Sequence, residues 1–113
     1  MPTLRLAFPA AFLLLAVCAA SGGLAHDAPA GWKYDNYCCG GNDCQPIPVE
    51  DVKVTPDGYE VSIPKGAHLT AKRDHRKLFR YGEVRPSQDD RFHACILPNS
   101  QEFRCLYVPP FGT

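Results

Sequence analysis

Thr55-Pro56-Asp57-Gly58, followed directly by Tyr59-Glu60-Val61-Ser62-Ile63, is the stretch on which the fold turns. Proline presets φ at the second position of a turn, and Asp-Gly suits the corner that follows. Beyond the corner, Tyr59, Val61 and Ile63 alternate with Glu60 and Ser62, the period-two pattern of a strand with one buried face. Upstream, Ile47, Val49, Val52 and Val54 form a second apolar run, broken at Glu50-Asp51. Residues 47–63 therefore predict a β-hairpin.

Working outward, Pro64-Lys65-Gly66 ends the hairpin, and residues 67–85 carry no clear period. Leu69, Leu78, Phe79, Tyr81 and Val84 leave room there for one short helix over roughly 71–79. Pro86-Ser87-Gln88-Asp89-Asp90 reads as a turn. Phe92 to Leu97 and Phe103 to Val108, either side of Pro98-Asn99-Ser100-Gln101, predict a second antiparallel hairpin that Pro109-Pro110 stops. On the N-terminal side, His26 to Tyr37 reads as an extended arm anchored by Trp32, Tyr34 and Tyr37. Cys38-Cys39-Gly40-Gly41-Asn42-Asp43-Cys44 then makes a tight loop rich in residues that tolerate positive φ. The expectation is a small mostly-β, disulfide-stabilised single domain with two hairpins and room for one short helix.

Residues 1–25 are set apart from this domain. Arg5 gives a short positive start, Leu6 to Ala20 is uncharged and almost wholly apolar, and Gly23-Leu24-Ala25 fits a small-x-small cleavage pattern. This is the design of a secretory signal peptide, with the domain at residues 26–113. An uncleaved anchor is the alternative, but the apolar run falls short of the ~20 residues of a membrane span. Leu15-Ala16-Val17-Cys18 resembles a lipobox, although Val17 is a poor match, so lipid anchoring through Cys18 is the lesser expectation. A periplasmic or secreted location follows.

A domain of this size has a limited core, and cross-links matter to it. Cys38, Cys39, Cys44, Cys95 and Cys105 read first as a disulfide framework in an oxidising compartment. Adjacent Cα atoms lie about 3.8 Å apart, below the usual disulfide window, so Cys38 and Cys39 point to different partners. Cys95 and Cys105 face each other across the second hairpin and fit a bridge, or each reaches the Cys38–Cys44 loop. At least one bridge from loop to hairpin is expected, because that loop has little else to hold it. Five is odd, so one thiol remains, either as a buried spare cysteine or as a reactive or ligating group.

Three sites are candidates for function. His93-Ala94-Cys95 puts an imidazole and a sulfur on one face of a strand, which suits zinc or copper unless oxidation consumes the sulfur. Cleavage after Ala25 exposes His26, whose amine and ring can chelate one copper ion, with His68, His75 or His93 to complete the site. The run Lys72-Arg73-Asp74-His75-Arg76-Lys77-Leu78-Phe79-Arg80 supplies Lys72, Arg73, Arg76, Lys77 and Arg80 for an envelope polyanion. Outside the cytoplasm nucleic acid is disfavoured as that partner. The plainer reading is a solvated face attracted by the acidic half: residues 26–60 carry seven acids against Lys33 and Lys53, whereas residues 61–91 carry eight bases against four acids. No Gly-x-Ser-x-Gly, Cys-x-x-Cys, His-Glu-x-x-His or phosphate loop is present, so no enzyme is expected. The function expected is a non-enzymatic binding or envelope-associated module without a cofactor, engaging an envelope polyanion or another exported protein. Copper or zinc binding in the periplasm is the alternative.

The joint pattern Cys38-Cys39-Gly-Gly-Asn-Asp43-Cys44, Phe92-His93-Ala-Cys95 and Phe103-Arg-Cys105-Leu-Tyr-Val-Pro109-Pro110 resembles a family of short secreted proteobacterial proteins. Those carry a double cysteine, then Asp-Cys, a late His-x-Cys, and a last cysteine before aromatic residues and Pro-Pro. The likeness covers most of residues 26–113 and implies an exported protein. It brings no activity or cofactor, and the basic run at 72–80 is no part of it.

Overall fold

A computed structural model describes residues 26–110; the expected signal peptide and Cys18 lie outside the described residues. Seven strands form two sheets: β1 (Cys44–Ile47), β2 (Val52–Thr55), β3 (Gly58–Ile63), β4 (His75–Arg80), β5 (Arg85–Pro86), β6 (Phe92–Ile96) and β7 (Phe103–Val108). One sheet runs β2-β3-β4 and the other β1-β6-β7-β5. All neighbours are antiparallel except the short parallel pairing of β5 with β7.

The Thr55–Gly58 corner is the expected hairpin turn, joining β2 to β3. Gly58 has φ +147°, and a Cβ there would sit 2.1 Å from the Phe79 carbonyl oxygen, so only glycine lets β4 approach. The first strand of the hairpin is shorter than the apolar run predicted. Ile47 belongs to β1 in the other sheet, and Val49–Asp51 is a 3-10 turn entered from Pro48, whose fixed φ and missing N–H end β1.

The short helix expected over 71–79 is absent. Residues 75–80 form an edge strand, paired from Ile63↔His75 to Gly58↔Arg80. Strand alternation explains the poor helical spacing: His75 and Phe79 face inward and are buried, whereas Arg76, Leu78 and Arg80 face outward and are exposed. Cations along an exposed edge also hinder sheet-to-sheet pairing with another chain.

The β6–β7 hairpin holds the structure together. Every residue of β6 is buried, because both faces of its sheet are covered. One face carries Phe92, Ala94, Ile96, Phe103, Leu106 and Val108 against Tyr59, Val61, Ile63 and Phe79 of the other sheet. The opposite face carries Cys95, Cys105 and Tyr107 against the arm, through Ala28, Tyr34 and the cysteines of the loop. Trp32 and Tyr34 anchor the arm as predicted. Tyr37 does not: it is 59% exposed.

Register breaks once in this hairpin. Cys95 pairs with Cys105, but Ile96 pairs with Phe103, leaving Arg104 as an extra residue in β7. The bulge lets Phe103 face the main core and Cys105 the arm, and it re-aims Arg104. Across the hairpin loop, Gln101 (φ 60°) donates to the Thr70 and Pro98 carbonyls. Its oxygen accepts from the Lys72 N–H and from His75, stapling residues 70–75 to the hairpin.

Candidate functional site

Two disulfides tie the loop to the hairpin: Cys38–Cys105 (S–S 2.08 Å) and Cys44–Cys95 (S–S 2.04 Å). The expected loop-to-hairpin bridge is therefore present twice. Cys95 and Cys105 face each other in register but bond elsewhere, since β1 and the loop cover the same face of the sheet. Bridges of this kind belong to an oxidising, non-cytoplasmic location. Among the described residues no helix is long and apolar enough to cross a membrane.

Cys39 is the free thiol among the described residues, and it is fully buried. Its Sγ lies 3.2 Å from His26 Nδ1 and donates to the Gly41 carbonyl at 2.9 Å. His26 Nδ1 also donates to that carbonyl, which fixes its proton there. In this arrangement the imidazole has no Nδ1 lone pair with which to deprotonate the thiol, and the pair is not an activated nucleophile.

His93 is not beside a free sulfur, because Cys95 is bridged. It lies in a buried polar network between arm and hairpin. Nε2–H donates to the Asp89 carboxylate at 2.8 Å, and Nδ1 accepts from the Tyr34 hydroxyl at 2.7 Å. A carboxylate only accepts, so the tautomer follows. Asp89 also accepts from Trp32 Nε1 at 2.8 Å, from Ser87 Oγ and from the Arg91 backbone. Burial alone would raise the Asp89 carboxyl, but these donors outweigh it and hold it well below the usual carboxylate range. Burial lowers His93 despite the opposing pull of Asp89, so the imidazole is neutral near pH 7. Burial, reinforced by the Asp89 charge, pushes the Tyr34 hydroxyl well above the ordinary phenol range. The order hydroxyl–imidazole–carboxylate superficially matches a catalytic triad. However, Tyr34 and His93 are buried, and a phenol held protonated is a poor nucleophile. Sequence reasoning passed over Asp89 as a turn residue; its spacing of four from His93 gave no motif.

The cations of the basic run do not form one cluster. Arg76 and Arg80 are on the outward face of β4, and Arg76 pairs with Glu60. Lys77 is on the inward face, where its Nζ extends over the Phe79 ring at 4.7 Å and donates to the Phe103 carbonyl at 3.0 Å. Lys72 and Arg73 lie in the preceding turn and are exposed. Lys77 and Arg80 both line a groove of about 540 Å³, together with Cys105 and with Arg85 and Arg104, two cations outside the run. Tyr37 stands in this groove with the Arg104 guanidinium 4.6 Å and the Arg85 guanidinium 5.5 Å from its ring centre. Four cations thus face two carboxylates, Glu83 and Glu102. Arg85 and Arg104 were not visible as site residues because each is an isolated cation in an unremarkable local sequence.

Among the described residues no three metal-ligating side chains converge. Comparison with protein-family models, curated proteins and solved structures finds no match.

Proposed function

We propose that this protein is an exported, non-enzymatic binding module that attaches to an anionic component of the cell envelope. The observation that carries the reading is the groove in which Lys77, Arg80, Arg85 and Arg104 meet beside the exposed ring of Tyr37. Two of these cations already have anionic partners, Arg85 with Asp35 at 2.7 Å and Arg104 with Glu102 at 3.3 Å. Both pairs are partly exposed, and such pairs contribute little, so a ligand anion can replace either carboxylate. The signal-like leader and the likeness to short secreted proteins support export.

Retention on isolated cell envelopes tests the reading. The chain should bind at low salt and be released as salt shortens the screening length from about 10 Å at 0.1 M to about 3 Å at 1 M. Arg80→Glu combined with Arg85→Glu should weaken retention, whereas Arg73→Glu, outside the groove, should change it little. Salt-independent retention, or equal effects of the two changes, would exclude the groove as the attachment site.

A second reading, copper or zinc binding, has one observation in its favour: His26 Nδ1 and Cys39 Sγ lie 3.2 Å apart, and a metal ion held by both would displace the protons that they donate to the Gly41 carbonyl. It puts Cys39 in the place of the second histidine (His68, His75 or His93) expected to partner His26. Titration with either metal should then lose its high-affinity phase in Cys39→Ala, and an unchanged titration would end this reading.

A further inference from the structure

The cationic groove does not stop at Arg85. A second depression of about 290 Å³ shares Arg85 with it and is lined by Trp32, Lys33, Asp35, Gln88 and Tyr107. The two depressions adjoin at Arg85, with Tyr37 and Arg104 lining the first and Trp32 and Tyr107 the second. From this juxtaposition of Trp32, Arg85, Tyr37 and Arg104 we infer that the ligand is an acidic glycan lying along the surface, its sugar faces against the two aromatic residues and its carboxylates on the two arginines. The inference rests on the polyanion reading above and narrows it to one chemical class.

Three features support the glycan. First, both central cations are arginines, whose planar forks match carboxylates in two-point contacts that a lysine cannot make. Second, Tyr37 is 59% exposed whereas most rings among the described residues are buried, and Trp32 is partly buried with its indole N–H committed to Asp89. Their ring faces, electron-rich and rigid, suit the polarised C–H groups of a sugar ring; a bare phosphate chain offers nothing to them. Third, Arg104 is held in place by the fold. It is the extra residue of the β7 bulge, and such bulges commonly re-aim a side chain at a site. Its Nη1 donates to the Tyr37 carbonyl at 3.1 Å, so cation and ring are set together. Gln88 and Asp35, both exposed, add neutral and acidic groups for sugar hydroxyls.

The test is equilibrium binding of the full chain, purified without reductant, to four probes: a polyuronate oligosaccharide, a neutral oligosaccharide of equal length, inorganic polyphosphate, and vesicles containing phosphatidylglycerol. The expected result is binding of the polyuronate in preference to the other three. Arg104→Gln should weaken it about tenfold, the effect of one charge-assisted fork. Arg104→Lys should recover only part of this, and Tyr37→Ala, at an exposed position, should weaken polyuronate while leaving polyphosphate unchanged. Trp32 is not used as a test site, because its indole also holds Asp89. Equal binding of polyphosphate and polyuronate, with Tyr37→Ala silent on both, would overturn the glycan inference and leave the polyanion reading in place. Anionic vesicles binding more tightly than the polyuronate would do the same in favour of a lipid surface. No binding of any anion at low salt would overturn both.

Discussion

Removing the disulfides one at a time gives a quantitative test of how this small domain is held. Cys38–Cys105 closes a separation of 67 residues and Cys44–Cys95 one of 51, and the second lies inside the first. Taken alone, each loop would restrict the unfolded chain by about 4 kcal/mol in the chain-entropy relation. Together they do not act independently. Once either bridge is closed, the other adds only a ring set by the difference between 67 and 51, which is 16 residues. Such a ring is worth about 3 kcal/mol. Cys38→Ala with Cys105→Ala, and Cys44→Ala with Cys95→Ala, should therefore each cost about 3 kcal/mol, and all four changes about 7 kcal/mol. A domain of this length has about 4–13 kcal/mol in total, so either single-bridge variant should fold and the bridge-free chain should be at or past its limit. Urea and thermal unfolding are the assays, in a Cys39→Ala background that removes the competing thiol. Each single-bridge variant should show a Tm lowered by about 12–24 °C and a larger urea slope, since a less constrained unfolded chain exposes more surface. A cost below about 1 kcal/mol for one bridge and above about 5 for the other would refute the nested-loop reasoning. It would place the stabilisation in native packing around one sulfur pair instead.

Other outcomes follow from single sites. Gly58→Ala should cost about 2–3 kcal/mol, because its Cβ would meet the Phe79 carbonyl and the Arg80 Cα; chemical denaturation measures this, and a loss under about 0.5 kcal/mol would show that β4 can retreat. Asp89→Ala strands the Trp32 and His93 donors and should cost about 3 kcal/mol; a neutral result would mean that water replaces the carboxylate. The folded Asp89 carboxyl titrates below its unfolded value, so its contribution is complete above the ordinary carboxylate range and fades as pH falls below it. His68 and His93 are also lowered by burial, which means that the unfolded chain takes up their protons first as pH falls. Stability should thus decline on acidification from about pH 7 towards 5, and a flat denaturation midpoint across that range would show that neither histidine is neutral in the fold. Cys39 is buried, so native protein should resist iodoacetamide, with one thiol appearing in denaturant without reductant for the chain starting at His26; rapid native labelling would place the thiol at the surface.

The parts of the fold readable in the sequence were those governed by local rules. The Pro-Asp-Gly corner and the alternation of Tyr59, Val61 and Ile63 specify a hairpin before any tertiary contact is considered. Phe92 to Val108 declared itself likewise through two apolar runs around a polar loop. Residues 75–80 did not, because an edge strand needs only one buried face and here that face includes His75 and Lys77 in place of large apolar residues. The assignment of β1 to the opposite sheet was equally hidden: Cys44–Ile47 gains its place from pairing with β6, about fifty residues away in sequence. The cysteine partners lay between these cases. Geometry excludes a Cys38–Cys39 bridge, yet whether Cys95 joins Cys105 or the loop depends on which face of β6 the arm covers. The groove was least legible. Arg85 and Arg104 join Lys77 only through the parallel pairing of β5 with β7 and the bulge at Arg104, neither of which leaves a local signature.

Those same long-range devices connect the framework to the surface it presents. Tyr37 precedes Cys38 and Arg104 precedes Cys105, so the ring and the guanidinium that meet in the groove are sequence neighbours of the two ends of one disulfide. Without that bridge, bringing Tyr37 to Arg104 would require weak surface contacts to close the ring of 16 residues that Cys44–Cys95 leaves, the difference between 67 and 51. With it, a 4.6 Å cation–ring contact and one hydrogen bond suffice to fix the pose. The bulge completes the arrangement, because without an extra residue Phe103 and Cys105 would share a face and could not serve core and arm separately. A rigid cationic groove with an exposed aromatic ring is therefore a direct consequence of how this domain compensates for its small core, and changes to the Cys38–Cys105 bridge must reach the groove through Tyr37.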